Sequence, residues 1–197
     1  MRVAIIDYGA GNLYSLERGI EKAGVECFVT SDVQAALAGD AVVLPGVGGF
    51  RDAAKFLAPS RDSLREAING GLPCLGVCLG MQLLFDSSEE GEGAGLGIVP
   101  GRVRRLNAQR VPQMGWNSLE SITELSIRSA SLETAYFANS FVCEPDDVSQ
   151  VTSWATHDDD RFAASVRKGK TVGVQFHPEK SSERGIEFIR AFLRSAE

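Results

Sequence analysis

Three segments of this sequence carry residues suited to a covalent attack on a carbonyl carbon. The first is Pro73-Cys74-Leu75-Gly76-Val77-Cys78-Leu79-Gly80-Met81-Gln82-Leu83-Leu84, which reads as a buried strand, a Gly-x-Cys-x-Gly turn and a helix. Glycines on either side of the cysteine make room for a sharp strand-to-helix turn, and such a turn presents its central side chain at the top of a sheet. Cys78 would be presented there, and the N-terminus of the following helix favours a thiolate. The backbone N–H of Leu79 is placed to donate to an oxyanion. The competing reading is a buried small hydrophobe, the usual fate of a free cysteine. That reading applies outright to Cys74, which lies inside the strand.

The second segment is Gly173-Val174-Gln175-Phe176-His177-Pro178-Glu179-Lys180-Ser181. A strand ends at His177, and Pro178 keeps that residue extended while turning the chain. Glu179 can then fold back on the imidazole, fix its tautomer and stabilise its charged form, as the acid does in other triads. The third is Val42-Val43-Leu44-Pro45-Gly46-Val47-Gly48-Gly49-Phe50, a buried strand running into a loop dense in glycine. Backbone can approach a substrate closely there, so the N–H of Val47 or Gly48 would supply the other half of an oxyanion hole. A plain tight turn is the alternative. By contrast, Tyr8-Gly9-Ala10-Gly11-Asn12-Leu13-Tyr14 only superficially matches a dinucleotide fingerprint. The third glycine would fall at Tyr14, and no P-loop Gly-Lys-Ser/Thr ending is present, so no nucleotide cofactor is expected.

These segments need a scaffold of parallel strands. Val3–Ile6, Glu26–Val29, Ala41–Leu44 and Cys74–Val77 are strand candidates. Tyr14–Ala23 has helical spacing, and Ser60 is positioned to cap a helix over Arg61–Asn69 that Gly70-Gly71 ends. Such alternation implies a parallel sheet with helices on both faces. The second half is strand-rich, over Val103–Leu106, Tyr136–Val142, Val151–Ala155, Arg161–Arg167 and Thr171–Phe176. Lys168-Gly169-Lys170 reads as a hairpin turn, Ser182–Ser195 as a closing amphipathic helix, and the acidic, glycine-rich Ser87–Gly97 as a loop.

The bulk numbers fit one domain over residues 1–197: the chain has 197 residues, 44% of them hydrophobic. No stretch approaches the ~18 apolar residues of a membrane span. The first residues read as a strand rather than a signal peptide, so the cytosol is the expected location. A net charge of −6 argues against nucleic-acid binding. Arg102-Val103-Arg104-Arg105 reads as a solvated strand face. The four cysteines, Cys27, Cys74, Cys78 and Cys143, lack a disulfide-scaffold or zinc spacing, and no metal is expected.

Together the strings Pro-Gly-Val-Gly, Gly-Val-Cys-Leu-Gly-Met-Gln and His-Pro-Glu-Lys-Ser resemble the class I (triad) glutamine amidotransferases, over nearly the whole chain. More narrowly, Asp7-Tyr8-Gly9-Ala10-Gly11-Asn12-Leu13, Pro45-Gly46-Val47-Gly48 and Val111-Pro112-Gln113-Met114-Gly115-Trp116-Asn117 resemble the glutaminase subunits of imidazole glycerol phosphate synthases from histidine biosynthesis. Tyr136-Phe137-Ala138-Asn139-Ser140-Phe141 is similar to a further family segment, which commonly has His where Asn139 stands.

The resemblance implies a flavodoxin-like α/β fold: a mixed, mostly parallel central sheet flanked by helices, with additional antiparallel strands in the second half. It implies no bound cofactor, and a triad of Cys78, His177 and Glu179 that hydrolyses L-glutamine to glutamate and ammonia through a thioester. Val47, Gly48 and Leu79 would form the oxyanion hole. Gly48, Gln82, Glu90 and Ser140 would bind glutamine, Glu90 at its α-amino group and Gln82 with backbone amides at its carboxylate side. The ammonia would pass to a (β/α)8-barrel cyclase in a heterodimer, giving imidazole glycerol phosphate and aminoimidazole carboxamide ribotide. Asn12, Met114, Trp116 and Asn117 would face that partner, although an apolar Met-Gly-Trp run also suits a core. Docking would turn one peptide at Val47–Gly48 and complete the oxyanion hole. The rival readings are a glutaminase for another synthase, such as an anthranilate- or pyridoxal phosphate-type partner, a non-catalytic binding module on the same fold, and a cysteine hydrolase of other small amides or peptides.

Overall fold

The computed structural model describes residues 1–9, 13–46 and 48–196. The chain runs β1 (Arg2–Ile6), α1 (Tyr14–Lys22), β2 (Glu26–Thr30), α2 (Val33–Leu37), β3 (Ala41–Leu44), α3 (Phe50–Leu57), α4 (Arg61–Asn69), β4 (Cys74–Val77) and α5 (Leu79–Gln82). It continues with β5 (Ser87–Ser88), β6 (Gly101–Arg105), β7 (Gln113–Ser118), α6 (Leu125–Ser129), β8 (Thr134–Asn139), β9 (Phe141–Pro145), β10 (Val151–His157), β11 (Asp160–Lys168), β12 (Thr171–Val174) and α7 (Ser182–Ala196).

The central sheet has seven strands in the order β10-β11-β12-β4-β3-β1-β2. Strands β12, β4, β3, β1 and β2 are mutually parallel, whereas β10, β11 and β12 pair antiparallel. The parallel strands are apolar on both faces because helices cover both. Along β1 the alternation is direct: Val3 and Ile5 join one core cluster with Ile20 of α1 and Phe188 of α7, while Ala4 and Ile6 join the other with Phe50 and Leu64. A three-stranded sheet (β5-β6-β9) and a two-stranded ribbon (β7-β8) complete the fold.

This topology fixes where chemistry can occur. In open α/β sheets, ligands bind outside the carboxyl ends of the parallel strands. Here β3, β4 and β12 are neighbours, so the loop after Leu44, the turn at Cys78 and the segment leading to His177 all emerge at one edge.

Several expectations needed correction. Tyr136–Val142 is not one strand: it breaks at Ser140 into β8 and β9, which belong to different sheets. The Asn139 side chain bridges that break, its Nδ2 donating to Phe141 O at 3.1 Å. Helix α3 was not anticipated, although Phe50, Ala53, Ala54 and Leu57 lie buried at helical spacing. Helix α2 is short and begins where Asp32 accepts from Gln34 N. Strand β7 alternates buried Gln113 with exposed Met114 and Trp116, too polar a pattern to stand out. Ser60 does sit at the N-cap of α4, but its side chain makes no capping bond. The expected hairpin between β11 and β12 is present, pairing Lys168 with Thr171. Two of the three arginines expected on a solvated strand face are paired, Arg102 with Glu144 at 2.7 Å and Arg104 bidentate with Asp160.

Candidate active site

Cys78 adopts φ 50° and ψ −106°, a left-handed conformation that a non-glycine residue accepts only where its surroundings impose it. The flanking glycines show how it is imposed. A Cβ on Gly80 would lie 1.9 Å from Leu44 O, and one on Gly76 would lie 2.6 Å from Gly80 O. With only hydrogens there, α5 folds back against the end of β3. The backbone N–H of Cys78 donates to Val174 O at 2.7 Å, which ties the turn to β12. Leu79 opens α5, so its N–H is among those that a helix leaves without an internal acceptor.

His177 lies beside this turn. Its Nδ1–H donates to Glu179 Oε1 at 2.9 Å, and its ring also interacts with Cys78. Both side chains of the His–Glu pair are 6% exposed, so water competes little for that bond. Burial by itself pulls the His177 imidazole down, but the hydrogen bonds and charges of Cys78 and Glu179 outweigh it and carry the ring to about 9. Ser181 clamps the His-Pro-Glu turn: its hydroxyl donates to His177 O at 2.6 Å and accepts from Tyr136 N at 2.9 Å. His177 N in turn donates to Tyr136 O. Helix α1 backs the acid, since a Cβ on Gly19 would come 3.2 Å from Glu179 Cβ.

The glycine loop closes the arrangement. A Cβ on Gly46 would lie 2.9 Å from Cys78 Cβ and 3.0 Å from His177 Cε1, so this residue fits between the two only as glycine. Gly48 has φ 97°. At the far end of the loop, Glu90 Oε2 accepts from Phe50 N at 3.1 Å, which anchors the start of α3.

A cavity of about 220 Å³ opens over the sulfur, lined by Gly48, Cys78, Leu79, Gln82, Glu90 and Ser140 among others. That is below the ~300–1,000 Å³ typical of drug-sized ligands and suits something the size of an amino acid. The residues expected to bind substrate therefore share one cavity with Cys78. Val47 and Asn12 lie outside the described residues. Met114 and Trp116 are 64% and 57% exposed, which rules out the core reading of the Met-Gly-Trp run. Asn117 is used internally: its Nδ2 donates to Thr156 O and its Oδ1 accepts from Ser118 N.

The other cysteines are poor nucleophiles. Burial pushes the Cys74 and Cys143 thiols well up, with the charge of Cys78 adding to the effect at Cys143. Burial and then the carboxylates of Glu17, Glu21 and Glu26 raise Cys27 to about 11. Among the described residues, no group of three His, Cys, Asp or Glu is arranged to hold a metal ion. No helix among them is long and apolar enough to cross a membrane.

Two contributors were not singled out from the sequence, Ser181 and Gln175. Gln175 Nε2 lies 3.4 Å from Cys78 Sγ. The available signal was a polar residue at the end of an otherwise apolar buried strand.

A family model described as "Glutamine amidotransferase class-I" matches residues 4–196. A relative from Gloeothece citriformis, named "Imidazole glycerol phosphate synthase subunit HisH", is 41% identical over 201 residues, covering 97% of this chain and 94% of its own. A relative of the same name from Corynebacterium glutamicum is 39% identical over 204 residues, covering 97% of each. A solved glutamine amidotransferase structure superposes with a TM-score of 0.78 at 20% identity, over 98% of both chains, a likeness of fold.

Proposed function

Because this chain belongs to the class I glutamine amidotransferases, within the group of HisH subunits, we propose that it hydrolyses L-glutamine at Cys78 and passes the ammonia to a (β/α)8-barrel cyclase. The observation that carries this reading is the meeting of Cys78, the His177–Glu179 pair and Gly46 at the ends of three adjacent parallel strands, beside a small cavity that Cys78, Gly46 and Gly48 line.

The steps follow from the geometry. The Cys78 thiolate attacks the side-chain amide carbon of glutamine. Leu79 N–H and an N–H of the 47–48 segment hold the developing oxyanion. His177, protonated and steered by Glu179, gives its proton to the departing nitrogen, and ammonia leaves a thioester on Cys78. The imidazole, now neutral, takes a proton from water as that water attacks the thioester, and glutamate is released. Since the first proton comes from imidazolium, glutamate release should fall as pH rises through about 9, where His177 loses its charge. A rate that stays flat through that range would contradict this role.

Within the cavity, Glu90 suits the α-ammonium group of glutamine. Gln82 suits the same side. Its Nε2 already donates to Phe141 O at 3.2 Å and to Gln175 Oε1 at 3.3 Å, so the group it has left to offer a ligand is an acceptor oxygen. We therefore assign Gln82 to the ammonium, and leave the carboxylate to backbone N–H groups near Ser140. Asn139 Oδ1 is buried without a hydrogen-bond partner among the described residues, at the position where the family commonly has His.

The ribbon of β7 and β8 supports the placing of the partner. Met114 pairs with Ala138, which lines the cavity, and Trp116 packs edge-on against Tyr136. The exposed face of β7 is thus about one strand away from the nucleophile, a short path for ammonia. Docking there is proposed to turn a peptide of the 47–48 loop into the oxyanion hole. All four cysteines are free, which suits the reducing cytoplasm proposed as its location.

The test is glutamate release by the chain alone, then with the purified barrel cyclase and its nucleotide ligand. Release should be weak alone and rise strongly in the mixture. Trp116→Ala should keep its melting temperature but weaken partner affinity by roughly 30-fold, the loss of one interface hot spot. Full activity in the lone chain would contradict activation by docking. An unchanged affinity would remove Trp116 from the interface.

A further inference from the structure

We infer that Gln175 is a hydrogen-bond donor to the Cys78 thiolate, held in that role by a relay that starts at the backbone carbonyl of Phe141. The inference rests on the reading of Cys78 as nucleophile and adds a residue to its machinery. Side-chain amides are ambiguous in orientation, so the assignment has to begin from a group that is not. Phe141 O can only accept, and Gln82 lies 3.2 Å from it, which makes the contacting atom Nε2. The other hydrogen of that NH₂ group points to Gln175 at 3.3 Å and requires an acceptor there, Oε1. The remaining end of the Gln175 amide is then its NH₂ group, and it faces Cys78 Sγ at 3.4 Å.

Burial removes the alternatives. Gln175 is 0% exposed and Gln82 is 4% exposed, so neither amide can exchange these partners for bulk water. Flipping Gln175 would set its NH₂ group against the NH₂ group of Gln82 and its oxygen against the sulfur lone pairs, losing two bonds at once. As a thiol, Cys78 can also direct its proton toward Ala138 O, a weak contact at 3.9 Å. Once the sulfur is ionised that contact has no proton to share. The Gln175 N–H and the His177 imidazolium then hold the charge from different residues, and the bond from Gln175 becomes charge-assisted.

The role differs from that of a filler of core space, and the test separates them by reading the sulfur directly. Gln175→Met keeps the length and bulk of the side chain and removes the donor; Gln175→Glu keeps the shape and puts an oxygen where the N–H was. The readout is the rate of Cys78 alkylation by iodoacetamide near neutral pH without glutamine, with the modified residue located by peptide mass. The Met variant should react about 10- to 100-fold more slowly than the parent chain, the span for losing one hydrogen bond to a charged group. The Glu variant should react more slowly still. Turnover of glutamine by the Met variant with the partner present should fall in kcat with little change in KM, because Gln175 faces the sulfur. Should the Glu variant fail to fold, the Met variant decides, and Gln82→Met, which cuts the relay one step upstream, should slow alkylation in the same direction. A folded Gln175→Met chain that alkylates at the parental rate would overturn the inference. Alkylation needs no glutamine, so slowed labelling in a chain that never hydrolyses glutamine would leave this inference standing while the glutaminase reading fell.

Discussion

Cys78→Ala is expected to lower glutamate release by the assembled enzyme on the order of 10⁴–10⁶-fold while leaving the chain folded, the scale seen when a covalent nucleophile is removed from a triad. Two features make so large a loss the expectation. The thiolate forms the bond that every later step depends on, so removing it cannot be offset by the oxyanion donors or by binding. No second thiol is placed to replace it: Cys74 packs in the core cluster on the other side of the sheet, and burial holds the Cys74 and Cys143 thiols protonated. Circular dichroism and a thermal melt would check the fold, since Cys78 is nearly buried and its replacement leaves only a small gap. A residual rate within tenfold of the parent would point to a different nucleophile.

Gly80→Ala should be the most damaging small change to the structure. Its Cβ would sit 1.9 Å from Leu44 O and 2.5 Å from Leu44 C, and both are backbone atoms of a central strand that cannot swing aside. Relief would require α5 to lift from β3, which removes the support for the φ 50° conformation of Cys78. Overpacking usually costs about 1–3 kcal/mol, and a backbone clash in the middle of a sheet belongs at or beyond the upper end. For a chain of this size that is a fall in melting temperature of roughly 10 °C. Activity should be lost even where the fold survives. Gly24→Ala makes the comparison: Gly24 has positive φ, at 93°, and nothing lies within 4 Å of its Cβ position. It should cost about 1 kcal/mol, the strain of the backbone alone. Equal melting temperatures for the two variants would refute the packing account of the elbow.

The parts of the site most legible in the sequence were those where backbone geometry restricts residue type. Glycine two positions to either side of Cys78, and proline between His177 and Glu179, are tied to turns that few other residues allow, so the strings themselves located the elbow and the His–Glu pair. The parallel strands were legible for a similar reason: β3 and β4 are buried on both faces and read as unbroken apolar runs. Where tertiary contacts decide, the sequence was less informative. Ser140 interrupts a run that has strand character throughout, and the break follows from β8 pairing with β7 while β9 pairs with β6. Strand β7 itself turns its large apolar side chains, Met114 and Trp116, outward and its polar Gln113 inward, the reverse of the usual apolar-in pattern. The alignment of Gln82 and Gln175 depends on a side-chain relay across 93 positions of sequence, which no local pattern encodes.

The most direct test of the account is to treat the purified complex with a glutamine analogue that carries an electrophilic carbon at the side-chain carbonyl, then digest it and locate the label by mass. The account predicts stoichiometric labelling of Cys78, protection by excess glutamine, and no labelling in His177→Ala beyond a slow background. Label on another cysteine, or none on a folded and assembled chain, would contradict the claim that Cys78 is the nucleophile for glutamine.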